Sequence, residues 1–201
     1  MNFSLNFKIA ILFFLITFLG SIIQSVYTYD SFHWVISQSS IDLFSSRTPY
    51  KDFFIHYGFL FTLVNAIILK IFNYDLLSTM IIASLFYGLG NFNIYLISKK
   101  FVSPNLNFYV PITLFLLHPF ANHPWPNYQF YFFLTLFILM LLKNNLFNIF
   151  ISGFLLSLCC LTYENFIFLS PVIILILLFI LKDFYKNILF ILGFVLPISI
   201  F

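Results

Sequence analysis

Apolar runs of roughly 15–20 residues recur from Ile9 to Phe201, and short gaps between them hold nearly all the charge. That pattern leaves few folds open. Charged residues make up 7% of the chain, where a soluble domain of this size carries about 25%. The runs are continuous and do not alternate with period two, which excludes a β-barrel and predicts an all-α polytopic membrane protein. The net charge of +3 gives no reason to expect nucleic acid as a partner. Cys159 and Cys160 are adjacent within an apolar run, a pattern of packing rather than of a disulfide or metal site. Ile9 to Thr28 is too long for a signal-peptide core, and no small-residue cleavage site follows it, so it reads as a retained first helix.

One run is ambiguous. Residues 57–72, "YGFLFTLVNAIILKIF", would make about 24 Å of helix, short of a hydrocarbon core of about 30 Å. Charge parity decides its role. Lys8 is placed in the cytoplasm. If 57–72 crosses, only Lys8 and Lys70 lie inside, against the tendency of Lys and Arg to stay there. If it lies flat on the outer face, Lys8, Lys99, Lys100, Lys143, Lys182 and Lys186 are inside, and Arg47, Lys51 and Lys70 are outside. The flat placement gives about seven transmembrane helices: 9–28, 76–98, about 103–120, 128–142, 146–163, 166–182 and 187–201. The chain is then a single module, 1–201, in a plasma (inner) membrane with its N-terminus cytoplasmic. Its first outer loop, 28–75, carries two juxtamembrane interfacial helices at 31–46 and 57–72.

The chemistry-bearing residues then gather on the outer, periplasmic or extracellular face. Asp30, Asp42, Asp52, Asp75 and Glu164 all fall there, with His33, His56, His118 and His123, while Asp183 alone lies inside. Ser31 is placed to cap the first loop helix. Phe32, Val35 or Ile36, and Leu43 form an apolar stripe on it, His33, Ser37 and Ser40 a polar one, and Trp34 an interfacial anchor. Asp30 just before it would sit near the positive helix start. Taken singly, these residues also fit plainer roles. Asp30 could merely cap the helix, Arg47, Lys51 and Asp52 could be solvated loop charges, and His56 and His118 could be structural. A carboxylate at a membrane edge can take a proton from an acceptor hydroxyl. Arg, Lys or His beside it can stabilise a departing phosphate. A lipid-linked sugar phosphate presents its phosphate at this depth, so the reaction class is glycosyl transfer with a polyprenyl-phosphate leaving group.

The stretch from "YDSFHW" (29–34) through "SRTPYKDFFIHYGFLF" (46–61) resembles the first outer loop of GT-C membrane glycosyltransferases, most closely the bacterial dolichyl-phosphate-mannose-transferase-like group. Where that group shows Pro after Tyr-Gly, this chain has Phe59. The resemblance implies two juxtamembrane loop helices, Asp30 as catalytic base or metal ligand, and Asp52 as the acid of the "PYxD" element. With Glu164, these are the expected catalytic residues. His33, Arg47, Lys51, His56, Lys70, His123 and Asn127 are the expected substrate-binding set. Asn127 stands where family members often carry a second acid, and an amide is a poor metal ligand. The residues name no certain cofactor, and a divalent cation held by Asp30 is left open. The implied partners are a polyprenyl-phosphate sugar donor, the bilayer, and a lipid, glycan or protein acceptor. The chain stops at Phe201 inside an apolar run, which suggests that the C-terminal part of the family is absent. The competing reading is a truncated or degenerate module that binds a lipid carrier or scaffolds an envelope-glycan assembly. A transporter fits less well, because its charged residues would lie nearer the midplane.

Overall fold

The computed structural model describes residues 5–27, 32–45, 47, 49–55, 57–103, 106–118, 120 and 123–200, without the side chains of 5, 6 and 32–36. Asp30 and His56 lie outside the described residues, as does Ser31, the expected cap. His33 is placed by its backbone alone.

The described residues form nine helices and no strand: α1 (Leu5–Tyr27), α2 (Phe32–Asp42), α3 (Phe59–Ile71), α4 (Leu77–Phe101), α5 (Tyr109–Leu117), α6 (Pro126–Leu141), α7 (Leu146–Thr162), α8 (Phe166–Leu181) and α9 (Phe184–Ile198). Two of them, α1 and α4, are long and apolar enough to cross a membrane, with mean hydropathies of 2.3 and 1.5 over their best windows. The helices α6 to α9 have 15–17 residues each, about 23–26 Å of rise.

Ring contacts fix the helix directions. Phe7, at the start of α1, meets Phe92 of α4, and Phe14 lies two turns further along α1. Gly88, earlier in α4, faces Phe14. These two helices are therefore antiparallel. Tyr87 packs on Tyr128, and Asn93 bonds Thr135 at 3.2 Å, so α6 runs parallel to α4. Phe130, near the start of α6, meets Tyr163 beyond the end of α7, so those two oppose one another. Lys186 Nζ donates to Asn144 Oδ1 at 2.9 Å, which brings the starts of α7 and α9 together. Lys8, Lys99, Lys100, Lys143, Lys182 and Lys186 thus share one end of the bundle, the lysine end. Polar caps close its turns. Asn145 accepts from Asn148 N at 2.8 Å, and Asp183 from Tyr185 N at 3.0 Å.

At the other end α3 lies across helix termini. Its first turn seats on the last residues of α7, and a Cβ on Gly58 would fall 2.2 Å from the Leu161 carbonyl oxygen. Its buried middle, Phe61 and Asn65, faces Thr79 and Ala83 of α4 and Gln129 of α6. Because α1 and α4 are antiparallel, the chain between them leaves and returns at this loop end. The helix expected at 57–72 forms within those bounds.

Two expectations change. The helix expected at 31–46 ends at Asp42, where Leu43 to Ser45 turn. Its serine stripe faces inward: Ser37 and Ser40 are buried, and so is Ser39, while α2 packs on α3. Short serine side chains let two helices approach closely. The segment expected to span 103–120 is a nine-residue helix, α5, about 14 Å long. Residues before it turn, with Leu106 N bonded to Ser103 O at 2.9 Å. Pro111 is tolerated because it sits in the first turn, where its missing N–H costs nothing.

The main core is built on α6, α7 and α9, around Phe137, Ile149, Leu156, Cys159 and Phe190. There α7 and α9 cross on two glycines. A Cβ on Gly153 would lie 2.1 Å from Phe190 O, and one on Gly193 would lie 2.1 Å from Phe150 O. Small residues at a crossing bring backbones into van der Waals contact, the packing that holds apolar helices together. By contrast, α8 buries Phe166, Ser170 and Leu177 and exposes Phe168, Leu175, Phe179 and Ile180.

Candidate functional site

Two of the cavities among the described residues differ in chemistry. The first lies beside the loop end of α7 and α8. It has a volume of about 460 Å³ and is lined by Tyr50, Phe59, Cys160, Glu164 and Ile198, among others. Its carboxylate is Glu164, in the three-residue turn between α7 and α8. Tyr50 reaches it from 114 positions earlier in the sequence, its hydroxyl donating to Glu164 Oε1 at 3.1 Å.

The turn that presents Tyr50 is tight. Pro49 and Phe53 form an isolated bridge, and Tyr50 N donates to Phe53 O at 2.9 Å. Tyr50 itself adopts φ 63°, a left-handed conformation that is rare for a bulky residue and costs on the order of 1–3 kcal/mol. Burial, then the charge of Glu164, then the hydrogen bond push its phenol up from 10.0 to about 12. Tyr50 is therefore a neutral hydrogen-bond donor to the carboxylate throughout the neutral range.

The second cavity, of about 570 Å³, lies between α4, α5 and the start of α6. Tyr87, Asn91, Tyr128, Tyr131 and Trp125 line it, with His118, His123 and Asn127 from the α5–α6 connection. Its walls are hydrogen-bonded to one another. Tyr131 OH donates to Asn91 Oδ1 at 2.8 Å, Tyr128 OH pairs with His118 Nε2 at 3.1 Å, and Tyr87 OH donates to the His118 carbonyl. Among the described residues, neither a carboxylate nor Lys or Arg lines it.

Tyr57 stands between the two. Its ring meets Trp125 edge-on at 6.0 Å, and its phenol is raised by burial and then by the neighbouring Tyr163.

The structure therefore divides the expected site. Glu164 lies in the first cavity, and His123 and Asn127 in the second. Asp52 and Lys51 are exposed on the 49–53 turn. Arg47 is exposed and pairs with Asp42 at 3.4 Å. Lys70 sits 4.7 Å over the Phe44 ring, a cation–π contact between the end of α3 and the turn after α2. Among the described residues no three His, Cys, Asp or Glu side chains are grouped to hold a metal ion. Cys159 and Cys160 are free thiols, both buried, and Cys160 forms part of the wall of the first cavity.

Sequence reasoning missed Tyr50, Tyr87, Asn91, Tyr128 and Tyr131. The last four carried a usable signal: polar residues at helical spacing, three or four apart, inside apolar helices. Tyr50 carried none, since only the fold brings it to Glu164.

No family model, curated protein or solved structure matches the chain.

Proposed function

We propose that this chain is a membrane glycosyltransferase module. It would move a sugar from a polyprenyl-phosphate donor to a lipid, glycan or protein acceptor at the outer face of a plasma membrane. The observation that carries this reading is the Tyr50–Glu164 cavity. It puts a carboxylate and a loop of the GT-C-like pattern together, beside helix α3 lying over the helix ends.

The wide apolar exposure of α8 supports a bilayer setting. Soluble proteins rarely leave apolar patches larger than a few hundred Å² in water, and Phe168 and Phe179 are each more than four-fifths exposed. In this reading α1, α4 and the bundle α6 to α9 cross the membrane with α5 as a partial span, and the lysine end faces the cytoplasm. The short helices α6 to α9 are met by local thinning or by interfacial flanks. Asp30, at the entrance to the loop, is the general base, and Glu164 and Asp52 shape the site. Arg47, Lys51 and Lys70 lie at the loop end and supply positive charge for the donor phosphate.

Proteoliposomes holding the full-length protein and a panel of labelled polyprenyl-phosphate sugars test it. Label should pass to an acceptor from at least one donor. If no donor in the panel supports transfer, with or without divalent cations, the reading is refuted.

A second reading draws on the other cavity, whose described lining is aromatic rings, amides and imidazoles. That is the composition of a binding site rather than a proton-transfer site, and it favours a module that holds a glycolipid carrier without turning it over. Saturable donor binding with no transfer distinguishes it.

A further inference from the structure

The lysine end of the bundle carries charge that the chain hardly answers. The sequence has no acid between Asp75 and Glu164, and after Glu164 only Asp183. Asp183 is itself engaged, since its Oδ1 accepts from the backbone N–H groups of Tyr185 and Lys186 at 3.0 and 3.3 Å.

Three of the lysines gather where the α6–α7 and α8–α9 turns meet. Lys186 Nζ donates to Asn144 Oδ1 at 2.9 Å, Lys143 precedes Asn144 in the chain, and Lys182 lies four residues before Lys186. Asn144 and Lys182 both adopt φ 50°. This left-handed backbone reverses each turn sharply and holds its lysine at the end of the bundle. Lys143 and Lys182 are exposed. Ammonium groups drawn together in this way repel one another, and an anion shared among them removes that repulsion.

The surface around the lysines selects the anion. Phe147 of α7 and Phe184 and Tyr185 of α9 are 72%, 73% and 74% exposed, and Phe179 in the last turn of α8 is 83% exposed. A free phosphate gains nothing from such a surface. A phospholipid does: its phosphate meets the ammonium groups while its glycerol and upper acyl chains lie on the rings, which favour that depth of a bilayer.

We propose that Lys143, Lys182 and Lys186 bind the phosphodiester headgroup of an anionic phospholipid. The inference takes from the proposed function only the bilayer setting and goes beyond the transferase chemistry.

Full-length protein in neutral-detergent micelles is titrated with phosphatidylglycerol, phosphatidylcholine and inorganic phosphate, and bound lipid is counted by native mass spectrometry. The expected result is saturable retention of phosphatidylglycerol over phosphatidylcholine, weakened by salt and not displaced by phosphate at the same concentrations. Lys143→Gln and Lys182→Gln, both at exposed positions, should each weaken retention about fivefold, the effect of one lysine beside an anionic headgroup. Lys99→Gln with Lys100→Gln removes two charges from the same end on another helix, and should cost less than either single variant. No saturable retention of phosphatidylglycerol, equal retention of both lipids, displacement by phosphate, or an equal or larger loss from the Lys99 and Lys100 pair would overturn the proposal. If the variants fail to fold, the unaltered protein decides, because retention indifferent to salt would overturn it as well. Full-length protein that stays dispersed in water without detergent would overturn the bilayer setting instead.

Discussion

The two cavities are built from different parts of the chain and depend on different kinds of contact. The carboxylate cavity is assembled over long distance: a strained turn from the first loop is pressed against the α7–α8 turn, with the α7–α9 crossing beneath it. The aromatic cavity is assembled on two parallel helices, α4 and α6, whose polar side chains bond one another across a short gap. The first holds a carboxylate in a partly open place, and the described walls of the second are aromatic rings, amides and imidazoles. Proton transfer needs the former, and binding without turnover is served by the latter.

The difference can be broken most forcefully at the glycine crossing. Gly193→Leu drives a side chain into the Phe150 carbonyl. The cost should lie near or above the top of the roughly 1–3 kcal/mol range for overpacking. Thermal unfolding in detergent should show the loss. The Tyr50–Glu164 contact should go with it, while Trp125 emission, set by the α4–α6 side, should change little.

Gly58→Ala is a gentler break. Its methyl meets Leu161 O and Thr162, so α3 must lift from α7 at about 1–2 kcal/mol. Proteolysis within residues 49–58 should quicken before global unfolding does.

The Tyr50 phenol supplies a pH test. It ordinarily releases its proton near 10.0 and here near 12. Between those values the unfolded chain is already deprotonated and the folded one is not. The contribution to stability is therefore complete below pH 10 and lost as pH rises toward 12. A phenolate difference titration of wild type against Tyr50→Phe should locate the group. Glu164→Gln should bring it down only part of the way, because burial is the larger cause.

Arg47→Ala should matter least to stability. Its pair with Asp42 is exposed, and such pairs contribute about 1 kcal/mol or less. A clearly larger loss on unfolding would show that Arg47 anchors the loop.

Much of the frame could be read from the residues because it depends on local pattern. The bounds of α3 followed from one apolar run. Glu164 stood out as an acid between two apolar runs. The site was less legible because it depends on meetings between distant segments. The loop motif drew attention to Asp52, yet the fold brings Tyr50, two residues earlier, to Glu164. Tyr87, Asn91 and Tyr131 carry their signal only in their helical spacing, because with 32 Phe and 12 Tyr in the chain a further aromatic residue by itself stands out little. Ser37 and Ser40 look like a solvent-facing stripe until α3 packs over them. Amphipathic pattern alone does not say whether small polar residues meet water or another helix.

The central claim is that the loop end of this bundle performs sugar transfer with a carboxylate base. Transfer by Asp30→Asn in proteoliposomes, measured beside wild type under single-turnover conditions, tests it most directly. The account predicts a fall of about 10²–10⁴ in the rate of transfer, the usual contribution of a general base. Transfer by Asp30→Asn at the wild-type rate would contradict it.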